Sequence, residues 1–122
     1  INHGSNTAIN IIYSGTVAAA REAAMMDVPS IAISITDHDP THFEYAGKVA
    51  KHLCKLVNKN GLPKGTLLNV NVPNLPEEEI QGIKVTQMGK SRWDDLYEMR
   101  KDPYGKEYYW LKGNLMEVDE DI

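Results

Sequence analysis

Between Ser30 and Val72 the chain reads as a short β-branched run, a long amphipathic stretch and a second β-branched run, and this order limits the fold more than any other feature. Ser30 to Ile35 (Ser-Ile-Ala-Ile-Ser-Ile) is mostly apolar and β-branched, as a strand covered on both faces requires. A polar loop, Thr36 to Pro40, leads to Thr41-His42-Phe43-Glu44, a capping-box pattern that predicts a helix from there to about Asn60. Phe43, Ala46, Val49, Ala50, Leu53, Leu56 and Val57 recur at three- and four-residue spacing, while Lys48, Lys51, Lys55 and Lys59 fall on the other side. Gly61 supplies a C-cap, and Thr66 to Val72 reads as the second strand, closed by Pro73-Asn74. Strand, helix, strand at these lengths is the parallel crossover unit, with ligands expected beyond the carboxyl ends of the strands.

The flanking segments extend the same pattern. Residues 2–10 are small, polar and turn-forming, so they favour a loop. Ser14 is an N-cap candidate for an alanine-rich helix that should end near Asp27, because Pro29 disfavours helical geometry just before it. Ile80 to Met88 predicts a third strand. Beyond Gly89, two polar and aromatic runs, Arg92 to Lys101 and Lys106 to Lys112, flank the turn Asp102-Pro103-Tyr104-Gly105 and predict an extended β-hairpin. The expected fold is α/β, a three-layer α/β/α arrangement around a mainly parallel, Rossmann-like sheet. Residues 1–88 form its core, and residues 89–122 the hairpin arm with an acidic tail, Glu117 to Asp121.

Composition narrows the function. The 122 residues suit one domain, and 42% hydrophobic residues suffice for one modest core. Thirteen basic against 17 acidic residues, net −4, with no Lys or Arg cluster, disfavour a nucleic-acid polymer as partner. Cys54 is the sole cysteine, so a reducing, cytoplasmic location is expected. No apolar run approaches the roughly 18 residues of a membrane span. Both ends read as cut, so a longer parent chain is expected.

Chemistry concentrates in Ile1-Asn2-His3-Gly4-Ser5-Asn6 and Tyr13-Ser14-Gly15-Thr16-Val17. A helix start offers unpaired N–H groups and a positive dipole end to an anion, Gly15 permits close backbone approach, and two hydroxyls add donors. The preceding loop carries side-chain amides that offer a neutral oxygen to a hard cation or N–H donors to a phosphoryl oxygen. Ser-Gly-Thr at a helix start is also simply good capping, which leaves a purely structural loop as the alternative.

At these residues the sequence resembles the SurE family, the stationary-phase survival 5′-nucleotidases. The match runs from Ile1-Asn2-x-Gly4-x-Asn6 and Tyr13-Ser14-Gly15-Thr16-Val17 through Pro29-Ser30-Ile31-Ala32 and Pro63 to Asn74. It continues to Asp102-Pro103-Tyr104-Gly105 and Tyr108-Tyr109-Trp110. The resemblance implies Asn2 as a ligand of one divalent cation per subunit (Mg, Mn or similar), and Asn6, Ser14, Gly15 and Thr16 around a phosphate. It implies hydrolysis of nucleoside 5′-monophosphates, with some activity on 3′-nucleotides and short polyphosphate, and a homo-oligomer, dimer or tetramer, built through the hairpin arm. It places a catalytic pair of adjacent aspartates and a further serine ligand upstream of Ile1, so this chain holds no catalytic residue of its own and is expected to be inactive alone. Ala8 and Asn10 depart from the glycine and aspartate of many members.

Other groups carry weaker readings. Asp37-His38-Asp39 follows a strand, but turn and capping duties explain it better than a metal does. His42 and His52 lack a partner at i, i+4 and read as solvent-exposed, while His3, nearer the site but at a variable position of the signature, reads as a spectator. Asp94-Asp95 lies in the arm and reads as a solvated face. Tyr108, Tyr109 and Trp110 offer faces on which a nucleobase could stack, but cross-strand packing or a subunit interface is the better reading for aromatic residues in a hairpin. Cys54, among core-type helix positions, reads as an inert thiol. The competing function is a non-catalytic nucleotide or phosphate sensor. A dinucleotide-dependent oxidoreductase is set aside, since no Gly-x-Gly-x-x-Gly joins a strand to a helix.

Overall fold

A computed structural model describes residues 1–116; the acidic run from Glu117 onward lies outside the described residues. Three parallel strands, β1 (Asn2–His3), β2 (Ser30–Ile35) and β3 (Leu67–Val72), form one sheet in that order. Asn2 is level with Ser34, and Ser34 with Asn71. Helix α1 (Gly15–Met25) connects the first two strands after a 3-10 turn over Ala8–Tyr13, and helix α2 (Phe43–Asn60) connects the last two. An antiparallel hairpin, β4 (Arg92–Lys101) and β5 (Glu107–Met116), forms a second sheet. The mainly parallel α/β fold with a hairpin arm is therefore the one the sequence predicts.

Alternation along the strands sorts the side chains into two unlike layers. Ile33, Ile35 and Val72 face α2 and close a cluster with its Ala46 and Val49, at whose edge Ile31, Val70 and Leu53 pack. The opposite face of β2 carries Ser30, Ala32 and Ser34, and Ala32 packs with Val17 and Ala20 of α1. Small residues on both sides let helix and sheet approach closely. Ser30 then donates its hydroxyl to the Ala20 carbonyl at 2.7 Å, which satisfies a buried polar group at the amino end of the sheet.

Three local expectations are not met in the structure. The capping box does not form: α2 begins at Phe43 with no side-chain cap from its own sequence. Instead Asn74, just beyond β3, accepts hydrogen bonds on its Oδ1 from the Thr41 and His42 amides at 3.0 and 3.1 Å, so a long-range acceptor replaces the local one. Ile80 to Met88 is not a strand. Val85 is fully exposed and Gly82 has φ +131°, so the segment lacks both a covering layer and the regular extended backbone that pairing needs. Cys54 is exposed rather than core-facing.

The hairpin is longer than its sequence pattern suggests, running from Arg92 opposite Met116 to Lys101 opposite Glu107. Asp102 builds its turn by accepting on Oδ1 from the Tyr104 and Lys106 amides, both at 2.9 Å, while Gly105 takes the required φ of +82°.

Candidate anion site at the carboxyl edge of the sheet

The carboxyl ends of β1, β2 and β3 lie together, tied by the Gly4 amide on the Asp37 carbonyl (2.6 Å) and the Thr36 amide on the Val72 carbonyl (2.9 Å). Gly4 has φ +82°, a conformation that side chains resist, and this lets the chain turn out of β1 toward the start of α1. Ser14 caps that helix: its backbone is extended and its Oγ accepts the Val17 amide at 3.2 Å.

The amide loop and the helix start meet. Asn2 Nδ2 donates to Thr16 Oγ1 at 2.6 Å, although the two residues are 14 apart in sequence. With its nitrogen engaged, Asn2 keeps its carbonyl oxygen as the group available to a hard cation or to a donor. Gly15 lies at the surface between them, and among the described residues no atom beyond its chain neighbours and its own helix backbone comes within 4 Å of the position a Cβ would take there. Its φ is outside the left-handed region, so neither backbone strain nor packing within the described residues calls for glycine at this place.

Asn6 occupies a different level. It is 6% exposed, its Oδ1 accepts the Ser14 hydroxyl at 2.6 Å and its Nδ2 donates to Ser34 Oγ at 2.6 Å. Its backbone is held as well, the N–H by Asn71 Oδ1 (2.9 Å) and the C=O by the amides of Asn69 and Asn71 (2.9 and 3.0 Å). Asn69 Oδ1 is buried and finds no partner among the described residues, a cost of roughly 1–3 kcal/mol. Asn6 thus lies under the helix start and braces it, while Asn2, Ser14, Gly15 and Thr16 line the outer level.

Sequence reasoning passed over Ser34, Asn69 and Asn71. Their signal was an i, i+2 polar pair inside a β-branched strand, Asn69-Val70-Asn71, beside Ser-Ala-Ser alternation in β2. Polar residues at one phase of an otherwise apolar strand need hydrogen-bond partners, and the loop above them provides these.

The weaker candidates resolve as follows. Asp37 is tied into its own turn, accepting the Asp39 amide (3.1 Å) on one oxygen and the Asn74 side-chain amide (2.8 Å) on the other. Those two donors, the Asp39 N–H first, hold its carboxyl below the usual range. His38 approaches Gly4, its Nδ1 standing 3.9 Å from where a Cβ on that glycine would be. Asp94, Asp95, His3 and His52 are exposed and His42 is partly buried. Arg100 stacks over Trp110 at 5.1 Å from the ring centroid, a diagonal cross-strand contact within the arm, where Arg100 lies opposite Tyr108.

As a metal site the described residues fit only in part. Asn2 offers one neutral oxygen of the type a hard dication accepts, but no group of three or more His, Cys, Asp or Glu converges among the described residues. A divalent cation draws its affinity from carboxylate charge, so these residues by themselves do not complete its coordination. Among the described residues no helix is long and apolar enough to cross a membrane.

Comparison with known proteins bears out the family resemblance. The family described as Survival protein SurE matches residues 1–95. Similar curated proteins include one named 5′-nucleotidase SurE from Chlorobaculum tepidum, 51% identical over 100% of this chain and 46% of the relative. Another of the same name, from Chlorobium luteolum, is 52% identical over 100% of this chain and 47% of the relative. The chain therefore spans about half the length of the curated relatives it matches. Among solved structures, the SurE protein from Aquifex aeolicus superposes with a TM-score of 0.76 at 44% identity, over 93% of this chain and 46% of that one.

Proposed function

The chain belongs to the SurE family, and from that premise we propose that it forms the phosphate-holding half of a metal-dependent phosphomonoesterase acting on nucleoside 5′-monophosphates, with 3′-nucleotides and short polyphosphate as lesser substrates. The observation that carries this reading is the 2.6 Å contact of Asn2 with Thr16, which sets a free carboxamide oxygen beside a helix start whose Gly15 opens onto unobstructed space. Unpaired amides of the first turn of α1 and the Thr16 hydroxyl meet the phosphoryl oxygens, where charge builds during transfer, while the Ser14 hydroxyl, its proton given to Asn6, lines the same turn and caps it. Asn6 holds the Ser14 hydroxyl in place from below.

One divalent cation per subunit (Mg, Mn or similar) would take the Asn2 oxygen as one of its ligands, and when bound it polarises the phosphoryl group and orients the attacking water. Its remaining ligands, a pair of adjacent aspartates among them, are assigned to sequence outside residues 1–122. On this reading the chain alone does not turn over. The exposed apolar residues of the arm, among them Trp93, Tyr97, Tyr109 and Trp110, support homo-oligomerisation through it, as dimer or tetramer. The lone thiol of Cys54 suits a reducing cytoplasm.

The test uses the protein with its native flanking sequence. Phosphate release from nucleoside 5′-monophosphates should require Mg²⁺ or Mn²⁺, stop with EDTA and be abolished by Asn2→Ala. Undiminished turnover in that variant removes the role given to Asn2. Nucleotide binding with no phosphate release under any metal would favour the sensor instead.

A further inference from the structure

Ser14 receives its placement from β3, which reaches it through Asn6. Asn71, on β3, holds Asn6 by both faces of its peptide: Oδ1 accepts the Asn6 N–H at 2.9 Å and Nδ2 donates to the Asn6 C=O at 3.0 Å. Asn69, two residues earlier on the same face, donates to that carbonyl at 2.9 Å. A carboxamide that engages an N–H and a C=O together does for one residue what a neighbouring strand does in a ladder. The loop leaving β1 is thereby pinned across the end of β2 onto β3, although β1 and β3 are not neighbours in the sheet.

The fixed residue then passes the constraint on. Asn6 Nδ2 donates to Ser34, which is fully buried, and Asn6 Oδ1 accepts the Ser14 hydroxyl; both contacts are 2.6 Å. With its proton directed at Asn6, the Ser14 oxygen turns its lone pairs to the Val17 amide at 3.2 Å, which sets the first turn of α1. A continuous hydrogen-bonded path thus runs from Asn71 through Asn6 and Ser14 to the helix start. Each member has its alternatives removed by burial or by a second bond.

We propose that Asn71 is a positioning residue of the anion site: it acts through Asn6 on the Ser14 hydroxyl and the α1 amino terminus, with Asn69 and Ser34 as its supports. This rests on the phosphate reading of the site, and it adds that phosphate affinity is set by the register of β3.

The experiment compares Asn71→Ala with Ser30→Ala in the protein with its native flanks. Asn71→Ala removes two part-buried side-chain hydrogen bonds and Ser30→Ala one buried one, all on the α1-facing side of the sheet, but Ser30 bonds the Ala20 carbonyl, away from the carboxyl edge. The inhibition constant of inorganic phosphate, and kcat and KM for a nucleoside 5′-monophosphate, are measured where each variant is fully folded by circular dichroism. Asn71→Ala should weaken phosphate binding and lower kcat at least about tenfold, the scale on which outer partners of a site act. It should also speed exchange of the Val17 amide. Ser30→Ala should leave all three within about twofold, though it costs comparable stability. Asn71→Asp, whose carboxyl donates to the Asn6 carbonyl only when protonated, should recover phosphate affinity relative to the parent protein as pH is lowered. Phosphate affinity and kcat unchanged in folded Asn71→Ala overturns the proposal and leaves the phosphate reading standing. A parent protein that neither binds phosphate nor releases it overturns both.

Discussion

The side-chain amide of Asn2 donates to the hydroxyl of Thr16 at 2.6 Å, joining the end of the first strand to the first turn of the first helix. The bond lies at the surface, so its energetic share in the fold is small and its value is geometric. We expect Thr16→Val in the natively flanked protein to shift stability by less than about 0.5 kcal/mol in urea denaturation. The same variant should lower kcat/KM for a nucleoside 5′-monophosphate about ten- to a hundredfold, and Thr16→Ser should retain most of it. Equal activity for Val and Ser at this position would show that the hydroxyl plays no part.

Gly15 separates the fold from its use. A Cβ there meets nothing within 4 Å among the described residues, and alanine is the better helix former, so Gly15→Ala should not destabilise the protein and can raise its melting temperature. An anion approaching the first-turn amides would meet that methyl group. Isothermal titration with phosphate should therefore show binding weakened about tenfold or more, a loss of roughly 1.4 kcal/mol. Unaltered phosphate binding would place the anion elsewhere.

Ala8 is buried with φ +49°, a left-handed conformation that costs an ordinary residue about 1–2 kcal/mol. Ala8→Gly should consequently be at least as stable as the parent chain, against the usual loss of about 0.5–1 kcal/mol for this substitution inside regular structure. Ala8→Val should be strongly destabilised, since a branched Cβ makes the same conformation harder to hold. Chemical denaturation of the three proteins checks the order.

Asp37 predicts a pH dependence. The Asp39 amide and then the Asn74 side chain stabilise its ionised form, so its folded value is depressed relative to the unfolded chain. A depressed carboxylate contributes stability above its unfolded value, near pH 4, and loses it as pH falls through the folded value. Denaturation midpoints of the parent chain should thus fall more steeply below pH 4 than those of Asp37→Asn. Parallel curves would remove Asp37 from the acid response.

The candidate site was legible in the sequence where it depends on local chemistry. Ser14, Gly15 and Thr16 read as a helix start because a hydroxyl, a glycine and a hydroxyl before an alanine run satisfy end-group requirements set by covalent neighbours. Asn6 was legible as part of the loop but not as its brace. The partners that make it one, Ser34, Asn69 and Asn71, lie 28 to 65 residues away in sequence.

Ile80 to Met88 shows the same limit from the other side. Its alternation fits a strand, yet a strand exists only when a neighbour accepts its hydrogen bonds, and among the described residues none does.

By itself, then, the sequence determined the helices, the two main strands, the hairpin turn and the family signature, because each depends on periodicity or on end groups within a few residues. Tertiary structure decided what caps the second helix, which strand braces the loop and that Asn2 meets Thr16. Those outcomes depend on hydrogen bonds between residues far apart in the chain, and burial makes such bonds specific by removing water as the competing partner.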